Sequence, residues 1–294
     1  MTFTIGVDVG GTKVLGGAVD EFGEVHKTAR RDTPKEGGAA LTAAIAEVAN
    51  ELKAQFPVES VGVSAAGWVS SDRKTMLATP NISGWNGANL HHELTGLIEL
   101  PVILENDANC VALAEKWIGN GVEFKNFFCL TVGTGIGGGI VINDALYRGN
   151  SFRAGEFGFT IVEGHNPGQS IEETMLSNVA AVRPLTYEVK DKLGLDLNGK
   201  QIFEQKATNK DMQEIYSKWI MRLAIGVYNH IYSLNPEAVL IGGAISANEE
   251  FMKDLNDSIL KVHPGTLDYT KVLPCKFLNE SGVVGAIYNY ISER

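Results

Sequence analysis

The chain has 294 residues, 44% hydrophobic and 20% charged, with a formal charge of -10. This balance excludes extended disorder, and an acidic surface repels nucleic acid and anionic membranes. No apolar run reaches the roughly 18–20 residues of a bilayer span, and MTFTIGVDVGG lacks the basic opening of a signal peptide, so a cytoplasmic protein is expected.

Thr4–Val9 alternates polar and apolar residues and runs into Gly10-Gly11; Lys13–Val19 reads as the returning strand and Asp20–Gly23 as its turn. Leu41, Ile45, Val48, Ala49 and Leu52 recur at helical spacing, predicting a helix over Ala39–Gln55. Ser60–Ala65 and Pro101–Leu104 read as strands, and Ala108–Ile118 as a helix burying Val111, Leu113, Ala114, Trp117 and Ile118. Strands returning after helices indicate an α/β protein.

Phe127–Val132 is a strand leading into the glycine-dense Gly133–Gly139, then a strand at Ile140–Ile142 and a turn at Asn143-Asp144. This repeats the order at the N-terminus, so two related lobes facing each other across a cleft are expected. Further helices are predicted over Met212–Leu234, Glu249–Lys261 and Gly282–Ile291, and a strand over Ala238–Ile241 entering Gly242-Gly243. Cys110, Cys129 and Cys275 lie far apart among apolar residues. They read as buried small hydrophobes, not as a disulfide framework or a cysteine zinc site.

Three strand ends run into glycines: Asp8–Lys13, Gly133–Gly139 and Gly242-Gly243. Glycine permits φ > 0 and lets backbone N–H groups approach an anion without an intervening Cβ. Thr12 and Thr134 add hydroxyl donors, Lys13 a charge, and Asp8 a carboxylate for a hydrated Mg²⁺. For any one turn taken alone a plain tight hairpin is the better reading; the three together favour a nucleotide site. Gly133, Gly135 and Gly138 fit G-x-G-x-x-G, but they lead into β-branched Ile140-Val141-Ile142 where a dinucleotide fold needs a helix. No Gly-Lys-Ser/Thr triplet occurs, so a Walker A loop is absent.

Glu105–Asn109 sits where a strand meets a helix. Phosphoryl transfer to an alcohol needs a positioned base. Asp107 suits that role and Asn106 suits neighbouring hydroxyls; the competing reading makes Asp107 a helix cap. Glu156, in Gly155–Gly158, is a second candidate sugar contact or a surface turn residue. Pro80–Asn86 offers Asn81 for hydroxyls and Trp85 either as a stacking face or, the favoured reading, as packing.

In this order the segments resemble the ROK family of sugar kinases and repressors, within the actin/hexokinase-like superfamily. Asp8–Lys13, Ala66-Gly67, Pro80–Trp85, Glu105–Asn109, Thr131–Gly139, Gly155–Gly158, Gly242-Gly243 and Gly282–Gly285 carry the likeness over nearly the whole chain. It implies a two-lobed, actin-like (ribonuclease H-like) fold, with residues 1–118 plus about 282–294 in the smaller lobe and 119–281 in the larger. It also implies an ATP- and Mg²⁺-dependent sugar kinase, with Asp107 as base. Asn81, Asn106, Asp107, Glu156 and Glu173 would hold the sugar; Glu172 is the weaker alternative to Glu173. The nucleotide would meet Asp8, Gly10, Gly11, Thr12, Lys13, Gly133, Thr134, Gly135, Gly137, Gly242 and Gly243. A homodimer is implied as well.

Two features depart from the family pattern. Many members follow the glutamate turn with a histidine and a cysteine-rich zinc motif. Here Phe159 takes the histidine's place and no cysteine lies between Cys129 and Cys275, so no structural zinc is expected. The repressors carry a DNA-binding segment before the first phosphate loop, whereas Asp8 lies almost at the start. The zinc-less pattern resembles β-glucoside kinases and some N-acetylmannosamine kinases. The expected acceptor is the 6-hydroxyl of a glucose-type ring, with fructose and N-acetylmannosamine as alternatives. A non-catalytic sugar sensor on the same fold is the contrasting class, and it would have no need of Asp107.

Overall fold

The computed structural model describes residues 2–79, 82–277 and 280–291. In chain order its first elements are β1 (Phe3–Val9), β2 (Lys13–Asp20), β3 (Val25–Asp32), α1 (Gly38–Lys53), β4 (Val58–Ala65), β5 (Trp68–Val69), β6 (Met76–Ala78), α2 (Leu90–Ile98), β7 (Val102–Asn106) and α3 (Asp107–Ile118). Then come β8 (Phe127–Val132), β9 (Ile136–Ile142) and β10 (Ala145–Tyr147). The remainder is mostly helical: α4 (Leu176–Ala180), α5 (Val182–Leu193), α6 (Gly199–Gln205), α7 (Lys210–Leu234), β11 (Ala238–Gly242), α8 (Glu249–Val262), β12 (Lys271–Pro274) and α9 (Ser281–Ile291).

The chain divides into two compact units, Met1–Glu123 with Gly139–Ala154 and Asn279–Arg294, and Phe124–Gly138 with Gly155–Leu278. The division falls inside β9. The first sheet has the order β3-β2-β1-β4-β7 and the second β10-β9-β8-β11-β12. Numbered within each sheet, both read third, second, first, fourth, fifth. In the first, β1 pairs antiparallel with β2 and parallel with β4, which is parallel to β7. In the second, β11 is parallel to both β8 and β12. This shared order is the structural form of the repeat legible in the two glycine hairpins.

In the first sheet, helices cover both faces, so the middles of β1 and β4 are apolar: Ile5, Val7, Val61 and Val63 are fully buried. Helix α1 presents Leu41, Ile45, Val48, Ala49 and Leu52 to the core, all 0–1% exposed. Helix α9 lies against β1 and β4 at unusually close range. A Cβ on Gly6 or Gly62 would overlap the carbonyl oxygens of Val283 and Ala286, and one on Gly285 would overlap that of Cys110 in α3.

The structure revises several local expectations. Strand β9 starts at Ile136, so Gly137–Gly139 are strand residues and not loop. Gly138 is small because Phe157 packs over it, and Gly139 because Ala108 and Ala112 of α3 do. Strand β7 extends to Asn106. In α3, Val111, Trp117 and Ile118 are only half-buried; Ala108, Asn109, Cys110, Ala112 and Glu115 join Leu113 and Ala114 inside. Trp85 is 1% exposed and donates its indole N–H to Gly38 O at 3.0 Å, which agrees with the packing reading favoured from sequence over a stacking face. The three cysteines are buried and form no disulfide. No described helix is long and apolar enough to cross a membrane.

Candidate active site

In the first unit, register aligns Asp8 of β1 with Ser64 of β4, and Ser64 with Glu105 of β7, placing three polar residues in one row across parallel strands. Residues in register share a face of the sheet. Ser64 Oγ donates to Asp8 Oδ1 at 2.8 Å. Burial lifts the Asp8 carboxyl from 3.8 to about 6; the Ser64 hydrogen bond opposes this, the Asp107 charge adds to it, and Lys13 opposes it. Gly282, in the first turn of α9, lies so close that a Cβ there would overlap the Asp8 carboxylate. A carboxylate raised by burial and a neighbouring acid gains from a nearby cation, so Asp8 fits the Mg²⁺ role.

The turn after β1 closes through Gly10 N–H to Lys13 O at 3.0 Å. Thr33 braces it from β3's end, its hydroxyl donating to Gly10 O at 2.7 Å and its N–H to Thr12 O at 3.1 Å. Gly11, Thr12 and Lys13 are exposed. Neither Gly10 nor Gly11 adopts positive φ, nor do Gly133 and Gly135, so left-handed backbone is not what calls for glycine there. A Cβ on Gly11 or Gly133 would meet nothing within 4 Å. Within the chain those positions tolerate a side chain, and the open space in front of their amides is what an incoming phosphate needs.

Asn106 caps α3: its Oδ1 accepts from Ala108 N–H at 2.9 Å and Asn109 N–H at 3.1 Å. Its Nδ2 donates to Gly67 O at 3.0 Å, and the same amide also hydrogen-bonds the Asp107 carboxylate. The cap role raised for Asp107 thus belongs to Asn106. Asp107 is the first residue of α3 and is exposed. Surrounding protein raises its carboxyl above the ordinary value, while the Ala108 N–H, its own N–H and the Asn106 amide pull the other way. The residue remains exposed at the start of the helix, so its carboxylate is available as a proton acceptor.

In the second unit, the loop after β8 is held by Gly137 N–H to Thr131 Oγ1 at 3.2 Å, Val182 N–H to Gly133 O at 2.8 Å and Ile136 N–H to Ser177 Oγ at 3.0 Å. Thr134 and Gly135 are exposed. Gly243 takes φ 94 and packs against the carbonyl of Val132, tying the Gly242-Gly243 turn to the end of β8. The turn carrying Glu156 docks on the same loop, since a Cβ on Gly158 would overlap Ile136 O. Phe157 anchors it, its ring 5.0 Å from Phe128 and 4.2 Å from His230. Burial lowers the His230 pKa from 6.5 to about 4, so that ring is a neutral packing partner at pH 7. Glu156 is half-buried.

Glu172 and Glu173 are both exposed on the short turn Ile171–Thr174. Val162 N–H to Thr174 O (3.1 Å) and Leu176 N–H to Thr160 O (2.8 Å) join this turn to the Glu156 segment. Asn81 lies outside the described residues. Sequence reasoning missed Ser64, Thr33 and Ser177. Each is a lone hydroxyl in an ordinary strand, loop or short helix, and only its partner marks it.

Among the described residues, the one group of three with metal-ligating atoms within 4.8 Å of each other is Asp20, Glu24 and His26. Asp20 accepts from the Phe22 and Glu24 N–H groups and bonds His26 Nε2 at 2.8 Å, which accounts for the cluster as a turn brace.

Residues 4–292 match the ROK family profile. A beta-glucoside kinase of Listeria innocua is 32% identical over 291 residues, 97% of this chain and 96% of its own length. Among solved structures, the Lmo2764 protein of Listeria monocytogenes is 30% identical with a TM-score of 0.89, covering 99% of each chain. A ROK family glucokinase from Streptomyces griseus, in complex with glucose and AMPPNP, is 29% identical with a TM-score of 0.84 over 97% of each chain. The chain belongs to the ROK family and has its two-lobed, actin-like kinase fold.

Proposed function

We propose that the chain is an ATP-dependent sugar kinase that transfers the γ-phosphoryl group to a hydroxyl of a hexose or hexoside, with Asp107 as general base. The sugar oxygen forms the new bond to phosphorus, the bond to the β,γ-bridging oxygen breaks, ADP leaves, and the hydroxyl proton passes to Asp107. The observation that carries this reading is exposed Asp107 at the first position of α3, its carboxylate released from capping by Asn106. Such transfer depends on positioning and charge more than on covalent help. The rigid strand-to-helix junction supplies the positioning.

Gly10, Gly11, Thr12 and Lys13, with Gly133, Thr134, Gly135 and Gly137, are assigned to the phosphates, and Gly242 and Gly243 to the adenosine side. Mg²⁺, held through water by Asp8, would neutralise phosphate charge. Asn81, Asn106, Glu156 and Glu173 are assigned to sugar hydroxyls. The favoured acceptor is the 6-hydroxyl of a glucose-type ring, including one bearing a β-linked substituent. The names of the Listeria innocua and Streptomyces griseus relatives support the glucose-type ring. N-acetylmannosamine and fructose are the competing acceptors. No structural zinc is proposed, because Phe159 replaces the histidine and the cysteines are missing. A cytoplasmic homodimer completes the reading.

A coupled assay for ADP release across glucose, fructose, mannose, N-acetylmannosamine and cellobiose tests it. Turnover is expected with glucose or cellobiose. Absence of ADP with all five sugars would overturn the kinase assignment.

A further inference from the structure

Two residues before the proposed base lies a buried acid that the reaction does not use. Glu105 is 2% exposed. Its Oε1 accepts from Asn106 N–H at 3.0 Å and Asn109 Nδ2 at 2.9 Å. Its Oε2 accepts from Arg148 Nε and Nη2, both at 2.9 Å, and from Asn289 Nδ2 at 3.1 Å. One carboxylate therefore ties together the end of β7, the first turn of α3, the segment after β10, and α9. Arg148 also bonds Asn289 Oδ1 through Nη2, and Arg73 Nη1 donates to the same oxygen at 2.8 Å.

Arg148 is itself fixed. Ala154 N–H donates to its carbonyl at 3.1 Å, closing the loop that follows β10, and its guanidinium lies 5.6 Å from the centre of the Phe152 ring. A buried carboxylate is tolerated only with a cation and hydrogen-bond donors around it. Arg148 supplies the cation, and its two donors on one oxygen fix the direction of the Glu105 side chain.

We infer that Arg148 is a positioning residue for proton transfer. By clamping Glu105 it fixes the Asn106-Asp107 junction and so the aim of the Asp107 carboxylate, without touching substrate. The clamp reaches Asp107 by two short routes: Glu105 accepts the N–H of Asn106, the α3 cap, and the side chain of Asn109, in the first turn of α3. The loss of a rigid hold on a reacting group is felt in kcat, since a displacement near 1 Å costs about 100-fold. The inference rests on Asp107 being the base.

The test compares Arg148→Met and Arg148→Lys with the native protein in steady-state kinetics, melting temperature and amide hydrogen exchange over residues 104–112. Arg148→Met is expected to lower kcat by about 10- to 100-fold, with KM for ATP and sugar within about threefold. Exchange in the first turn of α3 should accelerate, a readout independent of activity. Arg148→Lys, which keeps the charge but not the two-pronged donor set, should recover part of both losses. Unchanged kcat and exchange would overturn the inference. So would a change confined to KM, or a loss of kcat that merely follows loss of melting temperature across both variants. If Arg148→Met does not fold, Arg148→Lys decides by the same exchange measurement. Asp107→Asn separates the two claims: turnover surviving in that variant removes the base assignment, while faster exchange in the Arg148 variants still demonstrates the clamp.

Discussion

Asp8, Ser64 and Glu105 stand side by side on three parallel strands, yet their surroundings give them different duties. Glu105 is saturated by donors and a guanidinium. Asp8 has one hydroxyl and an unfavourable acid nearby, and its pKa rises to about 6. A carboxyl raised in the folded state takes up a proton more readily there than when unfolded. Its ionisation therefore costs stability, a cost absent below the ordinary 3.8 and complete above about 6. A bound cation offsets that cost only when Asp8 is ionised. Mg²⁺ affinity in the presence of ATP, measured by titration calorimetry, should weaken by up to about tenfold per pH unit below pH 6. Asp8→Asn should lose the part of that dependence due to the protein. Identical pH profiles for the two proteins would remove Asp8 from the metal site.

Gly282→Ala is a second test at this scale. Alanine favours a helix, but its methyl would overlap the Asp8 carboxylate. The variant should fold normally and lose about tenfold or more in kcat/KM for ATP; full activity would show that Asp8 need not stay where it is. At this scale the sequence was only partly informative. The strand ends that carry Asp8 and Asp107 were recognisable from pattern and spacing, while the roles assigned to them came from the family resemblance. The division of labour between Asn106 and Asp107 was not recognisable, because a cap and a base look alike in a string of Glu-Asn-Asp. For Trp85 the sequence favoured packing over a stacking face, and Gly38 and Thr42 supply the partners for its indole N–H.

Among the elements, α9 depends most on small residues. Its close approach to β1, β4 and α3 needs glycine at Gly6, Gly62 and Gly285, and the obstructing atoms are backbone, which cannot rotate away. Gly285→Ala should therefore destabilise the protein by about 1–3 kcal/mol or more, although alanine is the better helix former. A shift in the urea midpoint at unchanged slope would register it; an unshifted midpoint would mean the helices separate freely. The long apolar-periodic helices α1 and α7 and the alternating strand β1 were legible with boundaries close to those observed. Strand β3 was not, because it reads Val-His-Lys-Thr-Ala-Arg-Arg-Asp and buries only Ala29. That is how an edge strand protects itself with charge, and it erases the periodicity that marks a strand. Glycines hid the start of β9 for the opposite reason: they look like a loop, yet Gly138 and Gly139 are strand residues kept small by neighbours.

For the molecule as a whole, the repeated strand order is the feature from which the chemistry follows. Each sheet begins with a glycine-turned hairpin and continues with parallel strands, and the segments assigned to phosphate lie at the hairpin turns. The hairpin repeat was visible in sequence, while the parallel strands that complete each sheet became comparable only in three dimensions. Metal content is a whole-molecule prediction too: elemental analysis of purified protein should find zinc well below one equivalent, and stoichiometric zinc would contradict the argument from absent ligands. The most direct measurement is the turnover of Asp107→Asn with a saturating sugar acceptor, alongside its ATP affinity and melting temperature. The account predicts kcat lower by about 10²- to 10⁴-fold with the other two unchanged; kcat within a few-fold of the native value would contradict it.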